Sequence, residues 1–432
     1  MQLRRVHIRN VRSIAELTWE LPPEVSGPGW HVVLGDNGSG KSSFLRSIAL
    51  ALVGGLEALG LRQSWDEWIR AGSDEATIEL LIVPPGPPGD ERRAGSSTRR
   101  LAPGMPFDIV LKRGSHGVEY GTDAPSPNLW DGGAPPGWFC ASYGPFRRFT
   151  GGDQELEKLY TSQPRLARHL SVFGEAVALT EALSWLQSLK FMQLEGNREG
   201  DLLAPIYAFV NQPGFLPHEV RLRDVTSRGV DFVDASGFKV PVQELSDGYR
   251  AVLSMTFELV RQMALAYGTA SLFSADHTQV VPPGVVIVDE IDAHLHPSWQ
   301  RTIGVWFRTH FPNVQFIVST HSPLICQAAE VGSVFRLPQP GADPSEDRGE
   351  MVTGLARKRL LYGNVLDAYG TGVFGDGVTR SESGQAKLER LAELNMRELI
   401  GTLSEDEKRV QTELREMLPT EASVTSPHDP AA

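Results

Sequence analysis

The stretch "LGDNGSGKSSFLRS", residues 34–47, decides the fold. Within it Gly35, Gly40, Lys41 and Ser42 fit the pattern G-x-x-x-x-G-K-[ST] at every specified position. In that pattern the glycines let successive backbone N–H groups curl round phosphate oxygens. The lysine reaches the outer phosphates and the hydroxyl ligands magnesium. Asn37, Gly38 and Ser43 lie in the same loop and are assigned to the nucleotide with them. The motif requires a strand before it and a helix after it. Before it, "GWHVVLG" is a short apolar run closed by glycine, which reads as a buried strand. After it, Phe44, Leu45, Ile48, Ala49 and Leu52 recur at helical spacing. That helix would point its N-terminal dipole at the same anion.

The surrounding chain has 432 residues, 41% of them hydrophobic, enough for one large α/β domain with insertions or for two domains. A formal charge of -12 argues against a protein that coats DNA by itself, although a local basic groove is compatible with it. Two cysteines, Cys140 and Cys326, both in apolar company, exclude a disulfide framework by count and read as buried thiols. The opening "MQLRRVHIRNVRS" lacks the apolar core of a signal peptide, and no apolar run is long enough to span a bilayer. The expectation is a soluble cytoplasmic protein with no membrane partner.

Along the chain, "LRRVHIRNVRSIAELTWEL" alternates, with Val6, Ile8, Ile14 and Leu17 on buried faces of two hairpin-like strands. "ATIELLIV" is another strand. Residues 84–104 and the Pro/Gly stretch 121–137 read as surface loops. From Gln154 to about Phe209 the pattern is helical, suggesting an insertion. "RGVDFVDASGFKVPVQELS" returns to short strands around a Ser-Gly turn, and "DGYRAVLSMTFELVRQMALAYG" reads as a long amphipathic helix. "GVVIVDE" and "VQFIVSTH" are near-continuous apolar strands, the signature of a parallel sheet covered on both faces. After about Pro338 a polar segment leads to C-terminal helices, with a last dozen residues that read as disordered.

Three further motifs define the chemistry. Asp289 and Glu290 end an apolar strand; the first carboxylate can hold the magnesium shell and the second can polarise an attacking water. His321 ends the next strand, where a histidine can contact a terminal phosphate. In "LSDGYRAVLS", Ser246 and Gly248 precede the long helix, with Ser246 or Asp247 as its N-cap. This is a second anion-binding helix start, and it makes sense if it reaches the γ-phosphate of a nucleotide held by another subunit. The pair His294 and His296 has no third ligand at metal-like spacing, so zinc is not favoured. Arg147 and Arg148 in "GPFRRF" read either as approaching phosphate or nucleic acid or as an exposed basic loop.

The order of phosphate loop, Ser-x-Gly helix, Asp-Glu strand and His strand resembles the ABC-type ATPases, and more closely their SMC/RecF-like branch. The likeness covers roughly residues 1–340. It implies an α/β fold: a P-loop ABC-type head with a mixed sheet, a helical insertion and C-terminal helices. The boundaries drawn are 1–150 for the first part of the head, 151–215 for the insertion, 216–340 for the second part and 341–432 for the helical region. The resemblance also implies ATP and Mg2+ as ligands, Arg12 near the adenine, Ser42 and Asp289 at the metal, Glu290 and His321 in catalysis, and Ser246 and Gly248 acting across a homodimer. The chain departs from SMC proteins in having no sustained heptads in the roughly 200 residues between loop and signature, so no long coiled coil is expected. It has Leu295-His296 where many relatives place Leu-Asp, and no clear Q-loop glutamine.

"CASYGPFRR", "LSDGYRA" and "DEIDAHLHPSWQ", with the C-terminal helical pattern, resemble the short ABC-type ATPases of bacterial antiphage defence, such as the PtuA component of Septu systems and retron-associated ATPases. This implies an ATPase that forms a homodimer or higher oligomer and regulates an effector, in that family a nuclease. After His321 no Asp-x-Asp cluster or Cys/His nuclease motif is found, so a nuclease within this chain is not expected. The alternative is a RecF/SMC-like ATPase that binds DNA directly in repair or recombination. A transporter ATPase is the weakest reading.

Overall fold

The chain opens on an antiparallel hairpin, β1 (Gln2–Val11) and β2 (Ile14–Glu20), in which Val6 pairs with Trp19 and Ile8 with Leu17. The predicted alternation holds at Val6 and Ile8; Leu3 and Val11 are also buried but out of strict period, with a register shift between Leu3 and Arg5. β3 (Gly29–Leu34) is buried at every residue, and α1 (Lys41–Val53) follows the phosphate loop. Next come β4 (Glu75–Val83), β5 (Met105–Gly114), β6 (Gly117–Gly121) and β7 (Cys140–Tyr143). Short helical turns then lead to α2 (Glu181–Leu194) and α3 (Leu203–Val210). A small sheet of β8 (Arg221–Thr226), β9 (Gly229–Val233) and β10 (Lys239–Pro241) precedes α4 (Asp247–Tyr267). The unit closes with β11 (Gly284–Val288), α5 (Pro297–His310), β12 (Val314–Ser319), β13 (Gly332–Arg336), β14 (Glu350–Met351) and α6 (Gly354–Tyr362).

This is a computed structural model. It describes residues 1–61, 64–83, 105–115, 117–121, 138–149, 159–174, 180–343, 345–369, 373 and 382–418. The loops read at 84–104 and 122–137, the start of the helical insertion at 154–158 and the final dozen residues lie outside them.

Besides the small β8–β10 sheet, two larger sheets build the first unit, Met1–Ala368. One is antiparallel, in the order β2-β1-β4-β5-β6; the other runs β14-β13-β3-β12-β11-β7 and is parallel except at β14. α1 contacts β1, β4 and β5 of the first sheet and β7, β11 and β12 of the second. That position explains why Ser47 to Val53 are all buried: an apolar helix between two apolar faces keeps no solvent side. β3, β11 and β12 of the second sheet are near-continuous apolar runs buried at every residue, as expected of strands covered on both faces.

One expectation is corrected. α4 is not amphipathic in place: every residue from Ala251 to Ala264 is buried. Three of its interior polar residues are matched to each other. The Arg261 guanidinium donates to both Glu258 carboxylate oxygens at 2.8 Å, and Gln262 Nε2 donates to Glu258 Oε1 at 2.7 Å. Pairing lets a polar face be enclosed instead of solvated. β5, β6, β8 and β13 are strands that the sequence pattern did not bring out.

The second unit, Tyr369–Ala432, contains α7 (Glu382–Leu399) and α8 (Glu405–Met417), which join around Leu391, Leu394 and Leu414. Ser404 and Glu407 form a capping box at the start of α8.

Candidate functional site

The second sheet places β12 between β3 and β11, with Val33 opposite Ser319 and Val318 opposite Val288. All three strands are parallel, so the segments after them emerge together at their carboxyl ends, where open α/β sheets bind ligands. Those segments are the phosphate loop after β3, Asp289 and Glu290 after β11, and Thr320 and His321 after β12.

The loop between β3 and α1 has a geometry that could receive an anion. Gly40 is the N-cap of α1 at φ 93, a left-handed conformation that favours glycine. No side chain caps the helix and no acidic residue stands in its first turn, so its N-terminal N–H groups are uncapped by the protein's own carboxylates. Lys41 is buried, and its Nζ donates to the carbonyls of Gly35 at 2.7 Å and Asp36 at 3.0 Å. Burial pushes its pKa down, while the carboxylates of Asp289, Glu290, Asp36 and Asp292 oppose that shift. Ser42 and Ser43 are half-buried at the start of α1, and Asn37 and Gly38 are exposed at the loop tip.

The carboxylate pair is held by its neighbours. Asp289 is 1% exposed. Its N–H donates to the Tyr143 carbonyl at 2.8 Å, and its Oδ1 accepts from the Ser319 hydroxyl at 2.5 Å. Its Oδ2 is buried with no hydrogen-bond partner among the described residues. A buried carboxylate oxygen left this way is costly unless something else meets it. A hydrated magnesium ion is a group that would meet that oxygen. Glu290 is half-buried at φ 48, and its N–H donates to Ser319 Oγ at 2.8 Å. Ser319 thus bridges the two acidic residues. It lay in the "STHSPLI" motif, but only its histidine was singled out there. His321 is exposed just past β12.

Arg12 stands at the β1–β2 turn at φ 51, with its guanidinium 4.5 Å from the Trp68 ring centroid. Burial, then Arg46, pushes its pKa down, opposed by Glu67. The next two residues touch the phosphate loop: a Cβ on Gly40 would meet Ser13 Oγ at 3.1 Å and Ile14 at 3.2 Å.

Ser246 occupies the N-cap position of α4 but makes no capping bond, and it is exposed. A Cβ on Gly248 would lie 2.7 Å from the His294 carbonyl oxygen, so the helix start sits tightly on the turn after Glu290. His296 caps α5, its Nδ1 accepting from the Ser298 N–H at 3.3 Å. Arg147 fits neither expectation made for it. It is buried, and it donates to the carbonyls of Gly144, Asp289 and Glu290 at 2.9, 2.9 and 3.1 Å. Its neighbour Arg148 is exposed. Both cysteines are buried and free. No helix among the described residues is long and apolar enough to cross a membrane.

Two family models match the chain. "AAA domain" covers residues 5–81, and "AAA domain, putative AbiEii toxin, Type IV TA system" covers residues 183–327. With the loop, carboxylates and sheet described above, these matches mark an α/β chain with the features of AAA-domain nucleotide-binding ATPases. Within that class the chain is similar to Septu protein PtuA of Bacillus mycoides, 25% identical over 77% of this chain and 40% of that protein. It is also similar to the Retron Ec83 probable ATPase of Escherichia coli, 36% identical over 24% of this chain and 18% of that one. The chain therefore spans less than half the length of these relatives. Among solved structures, the SMC head bound to the C-winged helix domain of ScpA aligns over 82% of this chain and 99% of its own, with 16% identity and a TM-score of 0.49.

Proposed function

We propose that this chain binds ATP with magnesium, hydrolyses it, and closes as a homodimer around it to regulate an effector in bacterial antiphage defence. The observation that carries this reading is the convergence of Lys41, Asp289, Glu290 and His321 at the ends of three adjacent parallel strands, with Asp289 Oδ2 buried there and without a hydrogen-bond partner among the described residues. In this reading the uncapped start of α1 and Lys41 hold the phosphates. Ser42, and Asp289 through water, hold the magnesium ion, which would offset phosphate charge. Glu290 orients the attacking water and accepts its proton, and His321 contacts the γ-phosphate. Arg12 lies toward the adenine end. Ser246, free of capping duty, and Gly248 meet the γ-phosphate held by the partner copy.

The similarity to Septu PtuA and the retron ATPase supports a defence role, and the effector we propose is a separate nuclease. Glu290→Gln should keep ATP affinity and slow turnover by about 10²- to 10⁴-fold, as loss of a general base does; unchanged turnover places the base elsewhere. The same variant, purified from its own cells with ATP and magnesium and weighed by native mass spectrometry, tests the partner. A stoichiometric nuclease supports the defence reading. A bare dimer, or one carrying only DNA, moves the assignment to a DNA-repair ATPase.

A further inference from the structure

We propose that Arg147 is a positioning residue for the Asp289–Glu290 pair: its buried guanidinium holds the two carbonyls that orient both carboxylates. The inference rests on the reading of Glu290 as the residue that activates water.

The argument starts from the backbone of Glu290. Its φ of 48 lies in the left-handed region, which side chains other than glycine, asparagine and aspartate seldom occupy. Such a conformation persists where the surroundings over-determine it. Here the peptide is held from both sides. Ser319 Oγ takes the Glu290 N–H, and Arg147 donates to the Glu290 carbonyl, which also accepts the Ala293 N–H. The preceding carbonyl, of Asp289, accepts from Arg147 Nη1 at 2.9 Å. The third contact, to Gly144, anchors the guanidinium in its own chain segment just after β7.

β7 is the strand beside β11, with Tyr143 opposite Val288. Arg147 therefore ties the end of one strand to the acidic turn at the end of the next. Three carbonyls from two segments suit a planar fork of donors and not a single ammonium. The cation also faces the carboxylates of Asp289, Asp292 and Glu290, which oppose the effect of burial on it. Burial pushes its pKa down to about 10, so it remains charged at neutral pH. A guanidinium 5% exposed and spent on carbonyls is not available to phosphate or nucleic acid from solution.

The test separates positioning from mere support. Arg147→Lys and Arg147→Ala should leave the Kd for ATP nearly unchanged while kcat falls by about 10- to 100-fold, as losses of supporting hydrogen bonds do. Free guanidinium at millimolar concentration should restore part of the turnover of Arg147→Ala and none of Glu290→Gln. Wild-type turnover in both Arg147 variants overturns the proposal. So does a parallel fall in ATP affinity, kcat and melting temperature without guanidinium rescue, which marks a structural staple only. If Glu290→Gln itself turns over normally, the failure lies in the assignment of the base and the proposal falls with it.

Discussion

Ser319→Ala isolates the smallest part of the acidic turn. The hydroxyl makes two bonds, accepting the Glu290 N–H at 2.8 Å and donating to Asp289 Oδ1 at 2.5 Å. The second is charge-assisted, in a residue 1% exposed whose other oxygen has no hydrogen-bond partner among the described residues. A hydrogen bond to a charged group contributes about 1.5–3 kcal/mol and a neutral one about 0.5–1.5 kcal/mol, so the loss should total about 2–4.5 kcal/mol. Alanine removes one oxygen from a fully buried strand and adds no bulk, so no overpacking obscures the reading. In denaturant, without nucleotide, the unfolding midpoint should drop by an amount equivalent to that range. With ATP and magnesium, turnover should fall by about 10- to 100-fold, because Asp289 and Glu290 lose their common orienting partner. A variant with wild-type midpoint and wild-type turnover would refute the claim that this hydroxyl organises the carboxylates. A lower midpoint with unchanged turnover would confine Ser319 to stability.

Lys41→Ala should abolish nucleotide binding in a fluorescent-nucleotide titration, and normal affinity would sink the phosphate-loop assignment. Ser246→Arg places a bulky cation at an exposed helix start. It should leave ATP binding by each chain intact and remove ATP-dependent dimers seen by light scattering in a Glu290→Gln background; dimers of normal stability would argue against action in trans. His31 and His169 are fully buried, and burial pushes their pKa values down to about 4 and about 3. Below the ordinary histidine value of 6.5 the unfolded chain takes up protons at both sites while the folded chain does not. Stability should therefore fall as pH drops from about 6.5 toward about 4, and these two groups should add no dependence at higher pH. Unfolding midpoints measured across that window in wild type and His169→Gln test this, the variant losing part of the slope.

Period and local chemistry made much of the protein legible in the sequence. β1 and β2 carry apolar residues between polar ones, β3, β11 and β12 are short apolar runs, and the segments after these three hold the motifs from which phosphate chemistry is proposed. A phosphate loop is local: its glycines and helix start are set within one short segment, so residues 34–47 suffice to read it. β8 is as long as β3, and β13 as long as β11, but polar residues interrupt their runs, RLRDVT and GSVFR; β8 is made a strand by its hairpin with β9, and β13 by pairing with β3, about 300 residues earlier.

Other features depend on what the fold brings together. The environment of α4 is one: its pattern is that of a half-exposed helix, and only the enclosing elements turn Glu258 and Arg261 into an interior ion pair. Gly248 is another, a residue of a signature motif whose nearest neighbour is a carbonyl 46 positions further on, at His294. Arg147 is the clearest case. Its sequence neighbourhood, two adjacent arginines after an aromatic residue, speaks of an exposed basic loop. Strand order puts β7 beside β11, and that adjacency turns one arginine inward onto the carbonyls of Asp289 and Glu290 while Arg148 stays outside. Hydrogen-bond partners 142 and 143 residues apart leave no periodicity to read; only strand order joins them.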